Sequence, residues 1–306
     1  MNKRWATVTI IVLLLVFVGY IVVDITLKQE TSQAAGVPAD TVVNEDMWSA
    51  ERIFEPGKGQ LNAVAVTKEG RIILGGELFI LCYDHDFNLQ WEYKPDMPVT
   101  ALAATGENIY AAVQNIILVL NMKGEKTGEW GPYETDAYIT SVTVNNTNLA
   151  YADAANKKVF ILDREGVMKS IIGKPEDPFI LPSFYFDIAL DSENNLFVAN
   201  TGKRRIEKRK TDGTIISYFG EPGTDKNAFC GCCNPAHLML IPDGFVTAEK
   251  GINRIKILDK KGEFREFVSS VNRFVPALPL DIASADGSVI YGANPADSKV
   301  YVFKRK

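Results

Sequence analysis

The residues with the clearest chemical potential are three cysteines within four positions, Cys230, Cys232 and Cys233. We consider three chemistries for this run. A disulfide, Cys232–Cys233 or Cys230–Cys233, is favoured and would stiffen the loop. A metal or cluster site would recruit His237, because thiolates and imidazole suit zinc or iron. A redox-active dithiol is the third interpretation. In each case the run, together with the adjacent Asn234, is a candidate ligand-binding loop.

A second candidate site comprises Asp187, His237 and Asp281, because each stands immediately before an apolar segment of one recurring type. The six segments are centred on Val64, Leu102, Val142, Ile188, Leu238 and Ile282. If equivalent positions lie at one height around a central channel, the three side chains converge at its mouth. Two carboxylates and an imidazole could hold a divalent ion or act as acid and base. The simpler alternative is that they cap backbone amides or bind channel water.

The recurring unit that would position these groups is clearest in residues 184–220. It reads as an apolar strand, an acidic turn, a strand ending in A-N-T-G, a basic strand, a D-G turn and a last strand. The six segment centres are 38 to 50 residues apart, and each is followed by two further apolar runs. Self-similarity at this period is typical of propellers and solenoids. The sequence therefore predicts six four-stranded units.

The last unit stops at Lys306 after three strands, and residues 48–54 (WSAERIF) are the obvious donor of its fourth. A strand from the N-terminal side would close the ring and remove its exposed edges. The predicted fold class is all-β: a six-bladed β-propeller over residues 47–306.

The fourth unit, residues 191–206, reads D-x-x-N-N-L-F-V-A-N-T-G-x-x-R-I and resembles the NHL repeat family. Units three, five and six carry partial versions of this motif, and units one and two match only in hydrophobic pattern. The G-C-C-N-P run is also similar to one in bacterial, membrane-anchored NHL-type propellers. The resemblance implies a six-bladed propeller and leaves its role open.

The ends of the second strands in units four to six, Asn200, Glu249 and Asn294, align with one another. Gluconolactonase-like propellers use acidic and asparagine ligands, so the resemblance makes these residues candidate ligand-binding positions. The same positions also commonly cap turns. The chain has only two histidines, which argues against a multi-histidine zinc site.

Residues 6–23 are almost entirely apolar and long enough to span a bilayer. Lys3 and Arg4 precede this segment and Asp24 follows it, which places the N-terminus in the cytoplasm and the propeller outside. The predicted organisation is a transmembrane anchor (1–27), a flexible linker (28–46) and the propeller (47–306). A signal peptide cleaved near residues 32–34 is the alternative.

The net charge of −5 gives no indication of a nucleic-acid partner. The basic run at residues 203–210 is expected on an outer blade strand with a solvated face. Cys82 is expected in the core, and His85 in an exposed turn.

Together these features favour a membrane-tethered extracytoplasmic propeller that binds a protein or small-molecule ligand and catalyses nothing. No cofactor is required for that role. Two alternatives stay open. One is a metal-dependent hydrolase or lyase with a divalent ion at the channel mouth. The other is a redox or electron-transfer accessory protein that uses the cysteine run.

Overall fold

A computed structural model describes residues 47–270, 273–275 and 277–306. Within these ranges no helix is long and apolar enough to cross a membrane. The predicted membrane span and linker lie outside the described residues, so the anchor stays a prediction.

The described residues form six antiparallel sheets of four strands, the blades of a six-bladed β-propeller. Blade 1 contains β2 (Leu61–Val66), β3 (Ile72–Gly76), β4 (Ile80–Tyr83) and β5 (Leu89–Tyr93). Blade 2 contains β6 (Val99–Ala104), β7 (Asn108–Val113), β8 (Ile116–Asn121) and β9 (Lys126–Trp130). Blade 3 contains β10 (Ile139–Val144), β11 (Asn148–Asp153), β12 (Lys158–Asp163) and β13 (Met168–Ile172).

Blade 4 contains β14 (Ile188–Leu190), β15 (Asn195–Asn200), β16 (Arg205–Lys210) and β17 (Ile215–Phe219), with a 3-10 turn at Thr201–Lys203. Blade 5 contains β18 (His237–Ile241), β19 (Gly244–Ala248), β20 (Ile255–Asp259) and β21 (Phe264–Ser269). Blade 6 contains β22 (Asp281–Ala283), β23 (Val289–Asn294), β24 (Lys299–Arg305) and β1 (Trp48–Phe54).

The ring is closed by β1, which forms the outermost strand of blade 6. It pairs antiparallel with β24, from Trp48 opposite Arg305 to Phe54 opposite Val300. The predicted donor strand and the predicted six-bladed, four-stranded architecture are therefore confirmed.

The hydrophobic core lies between neighbouring blades. One cluster, for example, joins Ala63 and Ile73 of blade 1 to Leu102 and Leu118 of blade 2. The inner strands are covered by a sheet on each side, which explains why they read as continuous apolar runs. The outer strands of blades 1, 2 and 4 are largely exposed, whereas the second half of β21 in blade 5 is buried. Cys82 is buried in this core and His85 is exposed, as predicted.

The basic strand of blade 4 differs from the prediction. It is β16, the third strand, and the outer position is taken by β17. Arg209 is buried and forms ion pairs with buried Glu207 and with Asp177 in the loop before the blade. Its guanidinium also lies over the Phe179 ring, 4.9 Å from the centroid. Part of the basic run therefore belongs to a buried charge network, which holds the loop that contains Asp177.

Two sets of loops share one end of the propeller, which we call the rim face. The first set joins the outer strand of each blade to the inner strand of the next. The second set joins the second strand of a blade to its third. Because strands alternate in direction within each sheet, both sets lie where the inner strands begin.

Candidate functional site

The six inner strands enclose a central channel of about 520 Å³ whose walls are mainly aliphatic. Asp187, His237 and Asp281 all line the channel at its rim-face end, where β14, β18 and β22 begin. The structure therefore brings together the three side chains that the repeat alignment placed at one height.

His237 lies between the two carboxylates. Its Nδ1 atom is 3.6 Å from Asp187 Oδ2 and 3.4 Å from Asp281 Oδ1. Burial alone would lower the pKa of His237, but the neighbouring carboxylates of Asp187 and Asp281 raise it overall. Burial, reinforced by the charge of Asp187 and opposed by His237, raises the pKa of Asp281 to about 6.

The carboxylate of Asp187 is mostly occupied by contacts within the fold. Its Oδ1 accepts hydrogen bonds from the Ser141 hydroxyl and from the backbone N–H of Ile188 (2.8 Å). Its Oδ2 accepts the N–H of Leu238 at 2.7 Å. Asp187 therefore links blades 3, 4 and 5 at the channel mouth.

Asp281 has a similar but smaller role, because its Oδ2 accepts the backbone N–H of Val64 at 2.8 Å and so joins blade 6 to blade 1. Amide capping, the simpler interpretation of this cluster, is thus what the contacts show. Among the described residues, no group of three or more His, Cys, Asp or Glu side chains is arranged to hold a metal ion.

Tyr185 lies beside His237 at the channel mouth and was not identified from the sequence. Its ring stands edge-on to His237, with centroids 6.0 Å apart. Its hydroxyl donates a 3.2 Å hydrogen bond to the carbonyl of Ala277, in the loop before blade 6. An isolated tyrosine in a loop gives no periodic signal, so only the structure reveals this contact.

Asn200, one of the candidate ligand positions, is instead a buried loop anchor. Its Oδ1 accepts the N–H of Ile180 at 3.1 Å. Asp153, at the equivalent position of blade 3, accepts the N–H of Tyr138 at 3.1 Å. The carbonyls of Ile180 and Tyr138 each accept an N–H from the neighbouring loop. The backbones of Ile180 and Tyr138 are therefore fixed through both the N–H and the carbonyl group, while their side chains stay exposed.

Glu249 and Asn294, the other two candidates, are also buried. Glu249 Oε2 accepts the N–H of Cys230 at 3.4 Å, and Asn294 Oδ1 accepts the N–H of Ala296 at 3.1 Å. The structure thus shows turn and loop capping at the second-strand ends, and a ligand contact there stays a prediction.

The cysteine run has a graded exposure. Cys232 is exposed, Cys230 is half-buried and Cys233 is buried, and all are free thiols. The sulfur atoms of Cys232 and Cys233 are 3.2 Å apart, whereas a disulfide bond is about 2.05 Å long. The structure holds a dithiol in van der Waals contact, and the predicted disulfide stays a prediction.

Asn234 fixes the backbone that follows the cysteines. Its side chain, almost fully buried, accepts the N–H of Lys250 and donates to the carbonyl of Lys250, each at 2.7 Å. It also donates to the carbonyl of Cys230. Asn234 is therefore a loop anchor rather than a group facing a ligand.

A buried charge network lies under the same loop. Glu249 Oε1 is 2.7 Å from Arg254 Nε and 3.0 Å from Lys256 Nζ. Both cations donate to the carbonyl of Ala228, each at 2.7 Å. Burial lowers the pKa of Lys256 to about 8, against the opposing effect of Glu249. These bonds hold the loop at residues 220–236 to blade 5.

The rim face also carries most of the large apolar side chains that the described loops expose to solvent. Seven such residues are 37% to 62% exposed: Leu78, Met97, Tyr138, Ile180, Phe184, Val275 and Leu278. In the described turns between strands at the opposite face, Val167 is the single counterpart. The described loops thus expose their large apolar side chains mainly on the rim face, where the Tyr138 and Phe184 rings are in contact, with centroids 5.4 Å apart.

The fold and this rim define a six-bladed β-propeller with an apolar rim around a capped channel. No family model and no curated protein matches the chain. The NHL resemblance therefore stays a prediction.

Solved structures share the fold at low sequence identity. A streptogramin B lyase structure has a TM-score of 0.61 at 14% identity, covering 83% of this chain and 97% of that one. Virginiamycin B lyase from Staphylococcus aureus has a TM-score of 0.58 at 15% identity, covering 83% and 98%. A chain of a mitotic checkpoint complex has a TM-score of 0.59 at 11% identity, covering 88% and 96%. At these identities the likeness establishes the fold alone.

Proposed function

We propose that this chain is a membrane-tethered, extracytoplasmic propeller whose rim face binds another protein. The concentration of exposed apolar side chains on that one face carries the proposal. Contiguous exposed apolar surface marks interaction sites on soluble domains. Buried hydrogen bonds to Asp153 and Asn200 hold the loops that present Tyr138 and Ile180, so a partner would meet a preorganised surface.

A metal-dependent hydrolase or lyase acting through Asp187, His237 and Asp281 is the second candidate. The raised pKa values of His237 and Asp281 favour it, because perturbed groups in a cavity are typical of active sites. Two of the structural neighbours are lyases. Against it, three backbone amides and a hydroxyl already occupy the carboxylate oxygens. The test is bound metal that is stoichiometric in the wild type and lost in His237→Ala.

The rim proposal predicts that Phe184→Ser and Tyr138→Ser weaken partner binding by at least about tenfold, as expected for central apolar anchors. The measurement is quantitative recovery of cross-linked partner with the full chain, isolated from membranes. Tyr218→Ser is the matched control, because Tyr218 is 59% exposed on an outer strand and Phe184 is 62% exposed on the rim. The proposal would be contradicted if Tyr218→Ser weakened partner binding as much as the rim variants do, or if the rim variants bound the partner as well as wild type.

The proposed tether predicts that the chain sediments with membranes and that Cys232 is accessible from outside. In intact cells treated with a membrane-impermeant reductant, a membrane-impermeant maleimide should label wild type and leave Cys232→Ser largely unlabelled, because the exposed thiol is Cys232. The anchor is supported by the apolar segment at residues 6–23 and its flanking charges. Labelling that requires permeabilised cells would place the propeller in the cytoplasm.

A further inference from the structure

The pair Cys232 and Cys233 has the layout of a thiol–disulfide exchange centre. One sulfur is exposed, the other is buried, and they lie 3.2 Å apart. Exchange requires an accessible sulfur for attack and a second one within reach to complete the reaction. The anchored backbone around Asn234 and Glu249 keeps the two in contact.

The environment of the buried sulfur favours the protonated thiol over the thiolate. Burial raises the pKa of the Cys233 thiol, while Ser183 and the charge of Lys250 oppose that rise. After it leaves, Cys233 therefore takes up a proton readily, and its reverse attack on the mixed disulfide is slow.

We propose that Cys232 and Cys233 exchange a disulfide with a pair of thiols on the protein bound at the rim. The proposal rests on the proposed function for its partner and its oxidising compartment. It goes beyond that function by assigning a reaction, with a protein dithiol as the substrate class.

The reaction balances in three steps. A disulfide oxidant of the compartment, such as oxidised glutathione, first accepts two electrons from the pair, which loses two protons and forms the Cys232–Cys233 bond. A partner thiolate then attacks the exposed sulfur of Cys232, and Cys233 leaves as a thiolate and takes up a proton. The second partner thiolate attacks the mixed disulfide, so the partner gains a disulfide and Cys232 is released as a thiol.

Covalent geometry sets the direction of transfer. Adjacent residues have Cα atoms about 3.8 Å apart across a trans peptide, which is shorter than the 4.4–6.8 Å usual for disulfides. A bond between neighbouring cysteines is therefore strained and easily reduced. The oxidised pair would pass its disulfide on rather than keep it.

The test uses the full chain in detergent with oxidised glutathione, followed by alkylation and peptide mass analysis. Cys233→Ser should accumulate glutathione on Cys232 at least about tenfold above wild type, because no second sulfur resolves the adduct. Cys233→Ala serves if the serine variant folds poorly. Cys232→Ser should give no adduct on buried Cys233, and Cys230→Ser, in the same loop, should behave as wild type.

A second measurement supplies oxidised wild type with a reduced peptide that contains two cysteines. We expect wild type to form the peptide disulfide stoichiometrically, and we expect Cys232→Ser to form none. The proposal is overturned if Cys233→Ser traps no more glutathione than wild type, or if Cys230→Ser traps as much as Cys233→Ser. Neither assay depends on the exposed apolar side chains of the rim face, so failure here and failure of partner binding are separate results.

Discussion

Asp187→Ala should lower the free energy of unfolding by about 3–5 kcal/mol, the range for removing one partner of a buried charged contact. The substitution leaves the Ser141 hydroxyl and the amides of Ile188 and Leu238 without their acceptor. Each buried donor left unpaired costs about 1–3 kcal/mol. Urea unfolding followed by tryptophan fluorescence measures the change.

Asp281→Ala is the matched control at the same mouth. Its carboxylate accepts one inter-blade amide, that of Val64, so a loss of about 1 kcal/mol is expected. A large difference between the two variants would show that amide capping governs this cluster. Equal losses would instead indicate that the shared contact of both acids with His237 dominates.

The fold was predictable because each blade repeats the same physical pattern. Three buried strands and an exposed fourth recur, and the orphan strand at residues 48–54 matched the gap in blade 6. Equivalence between blades also located Asp187, His237 and Asp281, since a symmetric ring turns equal sequence positions into equal heights. The repeat in the sequence was therefore enough to predict that side chains far apart along the chain lie together at the channel mouth.

The burial of Arg209 could not be predicted in the same way. Its compensation comes from Glu207 on the same strand and from Asp177, a loop residue 32 positions earlier. Composition alone makes a run of basic residues look solvated. A basic side chain can be buried only when carboxylates lie close enough to pair with it. No periodic pattern in the sequence indicates that a loop carboxylate will do so.

The alignment of the second-strand ends is visible in the sequence, but their capping contacts are not. Asp153 belongs to the same column as Asn200 and Glu249, and in blades 3 to 5 the side chain accepts an amide from the preceding loop. Polar residues at such positions are typical both of ligand-binding sites and of turn caps. The sequence does not show which side chains are buried, and so it does not show the capping. The exposed residues that these caps position, such as Tyr138, are the ones with access to a partner.

Glu249→Gln should cost about 3–5 kcal/mol of stability, because it leaves two buried cations without their carboxylate. Arg254 and Lys256 are almost fully buried and both contact Glu249 Oε1. The same carboxylate accepts the amide of Cys230. Alkylation of buried Cys233 should therefore become faster as well, which a thiol-labelling time course measures beside urea unfolding.

Lys256→Met is the control for Glu249→Gln. It shows whether the loss of stability comes from leaving cations without a carboxylate or from any change in the buried network. It removes one cation but leaves the Glu249–Arg254 pair, so the carboxylate keeps a cationic partner and we expect a smaller loss of stability than in Glu249→Gln. The pKa of Lys256 is about 8 in the folded chain, below its ordinary 10.5. Between these values the unfolded chain binds more protons, so wild-type stability should gain a rising contribution from pH 8 towards pH 10 that Lys256→Met lacks. If Lys256→Met were as damaging as Glu249→Gln, the loop would depend on the lysine bonds to backbone carbonyls rather than on the carboxylate.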